Sequence, residues 1–167
     1  SFIQSNYTTF GAGVAVPETG ISLQNRGANF SLDPASDNCL AGGKRSYHTI
    51  IPGFLLKDGA AVGPFGVMGA FMQPQGQTEV LVNTLDYHMN PQETLDAPRI
   101  QWIGGRRLEL EREAGEAIAD ELRAMGHEVT VVDDRISMGR GQIIWRGEDG
   151  VYTAGTEPRC DGAVAAW

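Results

Sequence analysis

Lys44-Arg45-Ser46-Tyr47-His48-Thr49-Ile50-Ile51-Pro52, followed at a short distance by Gly66-Val67-Met68-Gly69-Ala70-Phe71, decides how this chain is read. Tyr47–Leu56 is rich in β-branched and aromatic residues, the Lys57-Asp58-Gly59 turn follows, and Ala60–Met68 returns, a strong hairpin pattern. The small residues Gly69 and Ala70 then mark a turn before a helical stretch. Such a turn exposes backbone N–H groups that can hold a developing oxyanion, and equally it can serve only close packing.

Working outward, the first half reads as short strands between turns. Phe2–Ser5 is one candidate; Val14–Val16 and Ile21–Asn25 flank a Pro17–Gly20 turn. A second hairpin is expected at Gln142–Trp145 and Val151–Thr153 around Gly147-Glu148-Asp149-Gly150. Two stretches have helical spacing. Thr78–His88 aligns Val80, Leu81, Leu85 and Met89 and stops at Asn90-Pro91, and Ala114–Met125 aligns Ile118, Leu122 and Met125 and ends at Gly126. Sheets with helices in an order that does not alternate indicate a mixed α+β class.

Only eight of the 34 charged side chains fall in residues 1–78. This predicts strands buried on both faces in the first half and a more solvated, peripheral second half. The 167 residues suit one domain, with no linker or repeat to divide them. A net charge of −8, with 11 arginines scattered rather than clustered, disfavours nucleic acid and anionic membrane surfaces as partners. The longest uncharged stretch, Gly59–Thr78, holds five Gly and two Pro and is no bilayer helix. The absence of an initiating Met suits a processed piece or a fragment.

Other motifs have ordinary readings. Gly11-Ala12-Gly13 lacks the third glycine of a dinucleotide loop, Gly104-Gly105-Arg106-Arg107 is a loop turn, and Asp33–Asn38 is a polar loop. His48, His88 and His127 share no context that would make a metal site, and His88 suits a helix end. Cys39 and Cys160 lack zinc spacing and read as isolated thiols. No metal or organic cofactor is expected.

Taken together, Ser5-Asn6-Tyr7-Thr8-Thr9-Phe10-Gly11, Gly20–Arg26, Asn29-Phe30-Ser31, Lys44–Pro52, Gly66–Phe71, Asn90-Pro91-Gln92 through Ala97-Pro98-Arg99, and Gly155-Thr156-Glu157-Pro158-Arg159 resemble, in order, the small subunit of γ-glutamyltranspeptidases. The resemblance implies part of an αββα sandwich of the N-terminal-nucleophile hydrolase type, with residues 1–167 as its C-terminal portion. In that family a precursor cleaves itself, and the freed Thr attacks γ-glutamyl amides such as glutathione; its acyl group passes to water or an amine. The Thr lies one strand and turn upstream of Phe2–Ser5, and Thr8 and Thr9 do not replace it. The chain alone is therefore expected to be inactive.

By resemblance, Ser5 is the hydroxyl beside the nucleophile and Gly69-Ala70 are the oxyanion donors. The substrate-binding positions are Asn6, Tyr7, Arg26, Asn29, His48 and Thr49. Asn29 stands where typical members have an Asp that pairs with the substrate amine, Arg26 where they have Gln or Glu, and His48 and Thr49 where they have paired serines. The implied partners are the large-subunit segment of the same precursor, a small γ-glutamyl or related amide, and a possible second copy. Two rival readings are a glutaryl- or cephalosporin-type acylase of the same family and a nucleophile-less scaffold or binding subunit.

Overall fold

The computed structural model describes residues 1–167, which divide into two compact units, Phe2–Ile50 and Ile51–Trp167, with Ser1 counted to the second. In the larger unit, β1 (Gly53–Lys57) and β2 (Ala60–Met68) form the expected hairpin, its turn carried by Asp58 and Gly59 at φ 51° and 79°. With β6 (Arg140–Arg146) and β7 (Tyr152–Thr156), the second expected hairpin, they make an antiparallel sheet of order β1-β2-β6-β7. Val67 pairs with Gly141, and Ile143 with Gly155.

Period-two alternation sets which face is buried. Phe65, Val67, Ile143 and Trp145 face inward, where they pack with Val80 and Leu95, and the Phe65 and Trp145 rings lie 5.7 Å apart. The opposite face leaves Phe54, Leu56, Ile144 and Tyr152 exposed. The expectation of strands buried on both faces is thus corrected to one buried face. The expectation of a peripheral second half fails as well, since Leu95, Leu108, Leu110, Met138, Ile143 and Trp145 supply much of the core.

Helix α1 (Met72–Leu85) begins six residues before the predicted Thr78. Pro74 and Gly76 look like breakers, but proline is tolerated in a first helical turn. Gly76 is required by packing: a Cβ there would lie 2.8 Å from Val67 Cγ1. The helix ends at Leu85, and His88 lies beyond it at φ 55°. Asn90-Pro91 ends nothing; it starts α2 (Pro91–Asp96). Asn90 accepts the Gln92 and Glu93 N–H groups while Glu93 accepts from the Asn90 N–H, a complete capping box with proline at its first position.

A second sheet, not anticipated, has the order β3-β4-β5. β3 (Ile100–Gly104) and β4 (Arg107–Glu111) form a hairpin through the predicted Gly104–Arg107 turn, and α3 (Glu116–Ala124) crosses over to a parallel β5 (Glu128–Val132). α3 lies within the predicted Ala114–Met125 and ends near Gly126 at φ 94°.

A buried ionic cluster ties these elements together. Arg99, Glu111 and Glu157 are at most 2% exposed. Arg159 donates Nε to Glu111 Oε1 at 2.6 Å and Nη1 to Glu157 Oε1 at 2.7 Å; Arg99 donates Nη2 to Glu157 Oε2 at 3.0 Å. Arg159 also donates to the Leu95 and Ala97 carbonyls at the end of α2, and the Gly141 N–H donates to Glu157. Glu79 on α1 is the poorly satisfied member: Oε1 accepts the Ile100 N–H, but Oε2 lies 3.9 Å from Arg99 Nε with no hydrogen bond. Burial raises its pKa from 4.5 to about 7, despite the opposing Ile100 N–H and Arg99 charge.

The smaller unit departs most from expectation. Phe2–Ser5 and Tyr47–Pro52 are not strands, and Val14–Val16 and Ile21–Asn25 make a single bridge, Ala15 with Ser22. Side-chain amides do much of the work of a ladder: Asn25 joins Thr8 and Gly11, and Asn38 joins Asn29 and Tyr47. Asp33–Asn38 is the expected polar loop, with Asp33 Oδ1 accepting the Ala35 N–H.

Two predictions follow from this packing. Gly76→Ala gains about 1 kcal/mol of helix propensity but forces a methyl into Val67, costing about 1–3 kcal/mol. Chemical denaturation of the full protein is expected to show a net loss; a gain contradicts the close approach. Between about pH 4.5 and pH 7 the folded state holds a Glu79 proton that the unfolded chain has lost, so this group lowers stability as pH rises. Glu79→Gln is therefore expected to raise Tm at pH 8 and change it little at pH 5, and equal shifts at both pH values contradict the assignment.

Candidate active site

The smaller unit brings five of the sequence-predicted residues together around Arg26. Its 3-10 turn (Arg26–Asn29) carries both Arg26 and Asn29. Arg26 is 9% exposed; it donates Nε to Thr49 Oγ1 at 2.8 Å and Nη2 to Ser5 Oγ at 3.0 Å. Its Cζ lies 5.8 Å from the centroid of the Tyr7 ring, a cation–π contact. The Tyr7 hydroxyl donates to Asn29 Oδ1 at 2.8 Å, and Tyr7 itself, at φ 79°, is held by Ser5 Oγ accepting its N–H.

Two features of this cluster stand out electrostatically. Arg26 is in no ion pair with an Asp or Glu, although buried cations are ordinarily paired. Asn29 uses its oxygen on Tyr7, while its Nδ2 is buried without an acceptor. A guanidinium and an unused amide N–H are both donors, an arrangement that suits a carboxylate and repels an ammonium.

Two predicted residues fall outside the cluster. The Asn6 side chain accepts only from Gln4 Nε2, at 3.4 Å, while its carbonyl accepts the Asn25 N–H at 3.1 Å. His48 lines a separate cavity of about 510 Å³ with Gln24, Gly27, Phe30, Lys44, Arg45 and Ser46.

The remaining pair, Gly69 and Ala70, belongs to the larger unit, at the junction of β2 and α1. Ala70 sits at φ 51° and Gly69 at φ 146°. The Gly69 carbonyl accepts the Met72 N–H at 2.9 Å and the Ala70 carbonyl the Gln73 N–H at 3.2 Å, so the turn's internal bonds use carbonyls. The Gly69 and Ala70 N–H groups have no backbone acceptor. Gly69 is irreplaceable by contact as well as by conformation, because a Cβ there would lie 2.9 Å from Gly139 Cα.

Sequence reading missed the roles of Arg99, Glu111, Glu157 and Arg159 behind this turn. Their types and positions were visible, but a buried charge carries no sequence mark that separates it from a solvated one. Cys39 and Cys160 are free thiols, no group of three or more His, Cys, Asp or Glu is placed to hold a metal, and no helix is long and apolar enough to cross a membrane.

The γ-glutamyltranspeptidase family model matches residues 1–167. The chain belongs to the γ-glutamyltranspeptidase family. It is 40% identical to the glutathione hydrolase-like YwrD proenzyme of Bacillus subtilis, over 98% of this chain and 32% of that protein. Against the oxamate amidohydrolase proenzyme of Klebsiella pneumoniae, identity is 39%, covering 100% of this chain and 33% of that one. Among solved structures, the cephalosporin acylase from Bacillus halodurans is 59% identical with a TM-score of 0.94, covering 99% of this chain and 31% of that chain. The α+β fold is therefore that of this N-terminal-nucleophile hydrolase family, and the chain spans about a third of the length of these three relatives. These relatives of the γ-glutamyltranspeptidase family are named as enzymes, two of them as proenzymes.

One prediction concerns the turn. A non-glycine residue in the left-handed region costs about 1 kcal/mol. Ala70→Gly keeps both N–H groups and is expected to raise Tm by a few degrees, whereas Gly69→Ala is expected to lower it. Thermal melts of the two variants check this, and a stabilising Gly69→Ala contradicts the described contact.

Proposed function

We propose that the whole protein, of which these residues are the C-terminal portion of one αββα domain, is an amidohydrolase or acyltransferase working through a Thr ester. In this reading the Thr lies one strand and turn upstream of Phe2–Ser5 in the same precursor, and its freed α-amine, or a water, takes the hydroxyl proton as the oxygen attacks the acyl carbonyl. The Gly69 and Ala70 N–H groups stabilise the oxyanion, the amine leaves with a proton, and water or a second amine takes the acyl group. The scheme uses neither metal nor organic cofactor.

The observation that carries the reading of the acyl donor is Arg26, buried without an acidic partner, beside the unused Asn29 Nδ2. A buried ammonium needs an anion to offset its desolvation, and this cluster offers none. The favoured donor is a dicarboxylic, glutaryl-type amide, whose carboxylate suits the Arg26 cluster; likeness to a cephalosporin acylase supports an acylase. γ-Glutamyl amides, suggested by the glutathione hydrolase-like relative, are the second reading.

The test compares kcat/KM of the full protein for glutaryl and γ-glutamyl anilides, before and after Asn29→Asp. Glutaryl amides are expected to be used at least as well, and Asn29→Asp to move the ratio toward γ-glutamyl by about 10–100-fold, the scale of one charged hydrogen bond. A strong γ-glutamyl preference that Asn29→Asp leaves unchanged contradicts the donor assignment. Absence of all turnover favours a scaffold.

A further inference from the structure

The Gly69 turn has a wall behind it, built by the 3-10 turn Ile136–Met138 and by Gly139. Gly139 sits at φ 75°, and a Cβ on it would meet Met68 O at 2.8 Å and Met72 Cγ at 3.3 Å, so the two turns interlock with no room for a side chain. Met138 is fully buried. The wall is gripped from one side: Arg99 Nη1 donates to the Met138 carbonyl at 2.9 Å and to the Gly139 carbonyl at 3.0 Å. Glu157 fixes the other arm of the same guanidinium at 3.0 Å, and Glu79, on the helix that the Gly69 turn feeds, lies 3.9 Å from its Nε. One planar fork therefore bonds the wall to Glu157 just past β7, and its Nε lies near, but unbonded to, Glu79 of helix α1.

We propose that Arg99 is a positioning residue for the oxyanion turn: it holds Met138–Gly139 against Gly69 so that the Gly69 and Ala70 N–H groups keep their direction, and it thereby sets turnover without touching the donor. This inference rests on the oxyanion role given to Gly69 and Ala70 above. Lysine keeps the charge but cannot span two carbonyls and a carboxylate as the guanidinium does. A misplacement of the reacting geometry by about 1 Å costs on the order of 10²-fold.

The experiment uses the full protein and its Arg99→Lys variant, with turnover normalised to processed enzyme. Amide hydrogen exchange is followed in parallel for the peptide covering residues 66–72. The expected result is a 10- to 100-fold fall in kcat with KM within threefold, and at least threefold faster exchange in that peptide. A folded, processed Arg99→Lys protein with kcat within twofold of normal and unchanged exchange overturns the proposal. If the unmodified protein cleaves no acyl anilide, the functional reading fails by itself, and the exchange data still decide whether Arg99 positions the turn. Should Arg99→Lys not fold, Glu157→Gln, which is isosteric but removes the charge that orients the Arg99 guanidinium toward the Met138 and Gly139 carbonyls, is expected to lower kcat three- to tenfold with the same change in exchange. Normal kcat and exchange in Glu157→Gln overturn the proposal equally.

Discussion

The ion pairs joining Arg99, Glu157, Arg159 and Glu111 are the constraint on which the larger unit depends. Two cations and two anions leave water together, and each finds its partners at hydrogen-bond distance. Removing one partner of such a pair strands a buried charge and costs about 3–5 kcal/mol. Because the four residues stand at the ends of α2, β4 and β7 and the start of β3, their pairing fixes where those segments meet. The apolar core of Phe65, Val67, Val80, Leu95, Ile143 and Trp145 supplies driving force, but burial alone is non-directional.

The smaller unit is organised differently. It has one isolated antiparallel bridge where a ladder was expected, and it leaves Val14, Val16, Ile21 and Leu23 exposed. Its order comes from scattered backbone hydrogen bonds such as Ala12 N–H to Leu23 O and Ser31 N–H to Asn38 O, from side-chain amides, and from Arg26, which reaches Ser5, Tyr7 and Thr49. A guanidinium used this way is both a structural strut and an open electrostatic site, since its hydrogen bonds satisfy donors without neutralising charge. In the proposed reading, that combination links the local fold to recognition of an anionic acyl group.

Much of the larger unit was legible in sequence because its signals are local. The Asp58-Gly59 and Gly147–Gly150 turns announce hairpins, and the spacing of Ile118, Leu122 and Met125 announces α3. The start of α1 was hidden because Pro74 and Gly76 oppose helix locally, and close approach to Val67 overrides that preference. The β3-β4-β5 sheet was hidden because Arg107, Glu109 and Glu111 alternate with Leu108 and Leu110 on its central strand, a pattern that reads as solvated although Glu111 is buried. Tyr47–Pro52 failed as a strand for the opposite reason: residues of high β-propensity find no ladder partner. At the site, the residue types at Arg26 and Asn29 were visible by resemblance, and so was the lack of a charge for an ammonium. The separation of His48 and Asn6 from the Arg26 cluster depends on which way each side chain turns, and sequence does not carry that.

The proposed role of Arg26 and Asn29 is to recognise a carboxylate and not an ammonium. Calorimetric titration of the full protein with glutarate and with L-glutamate, repeated on Arg26→Gln, tests it most directly. Glutarate is expected to bind more tightly than L-glutamate, and Arg26→Gln to weaken glutarate at least tenfold. Tighter binding of L-glutamate, or glutarate affinity indifferent to Arg26, would contradict it.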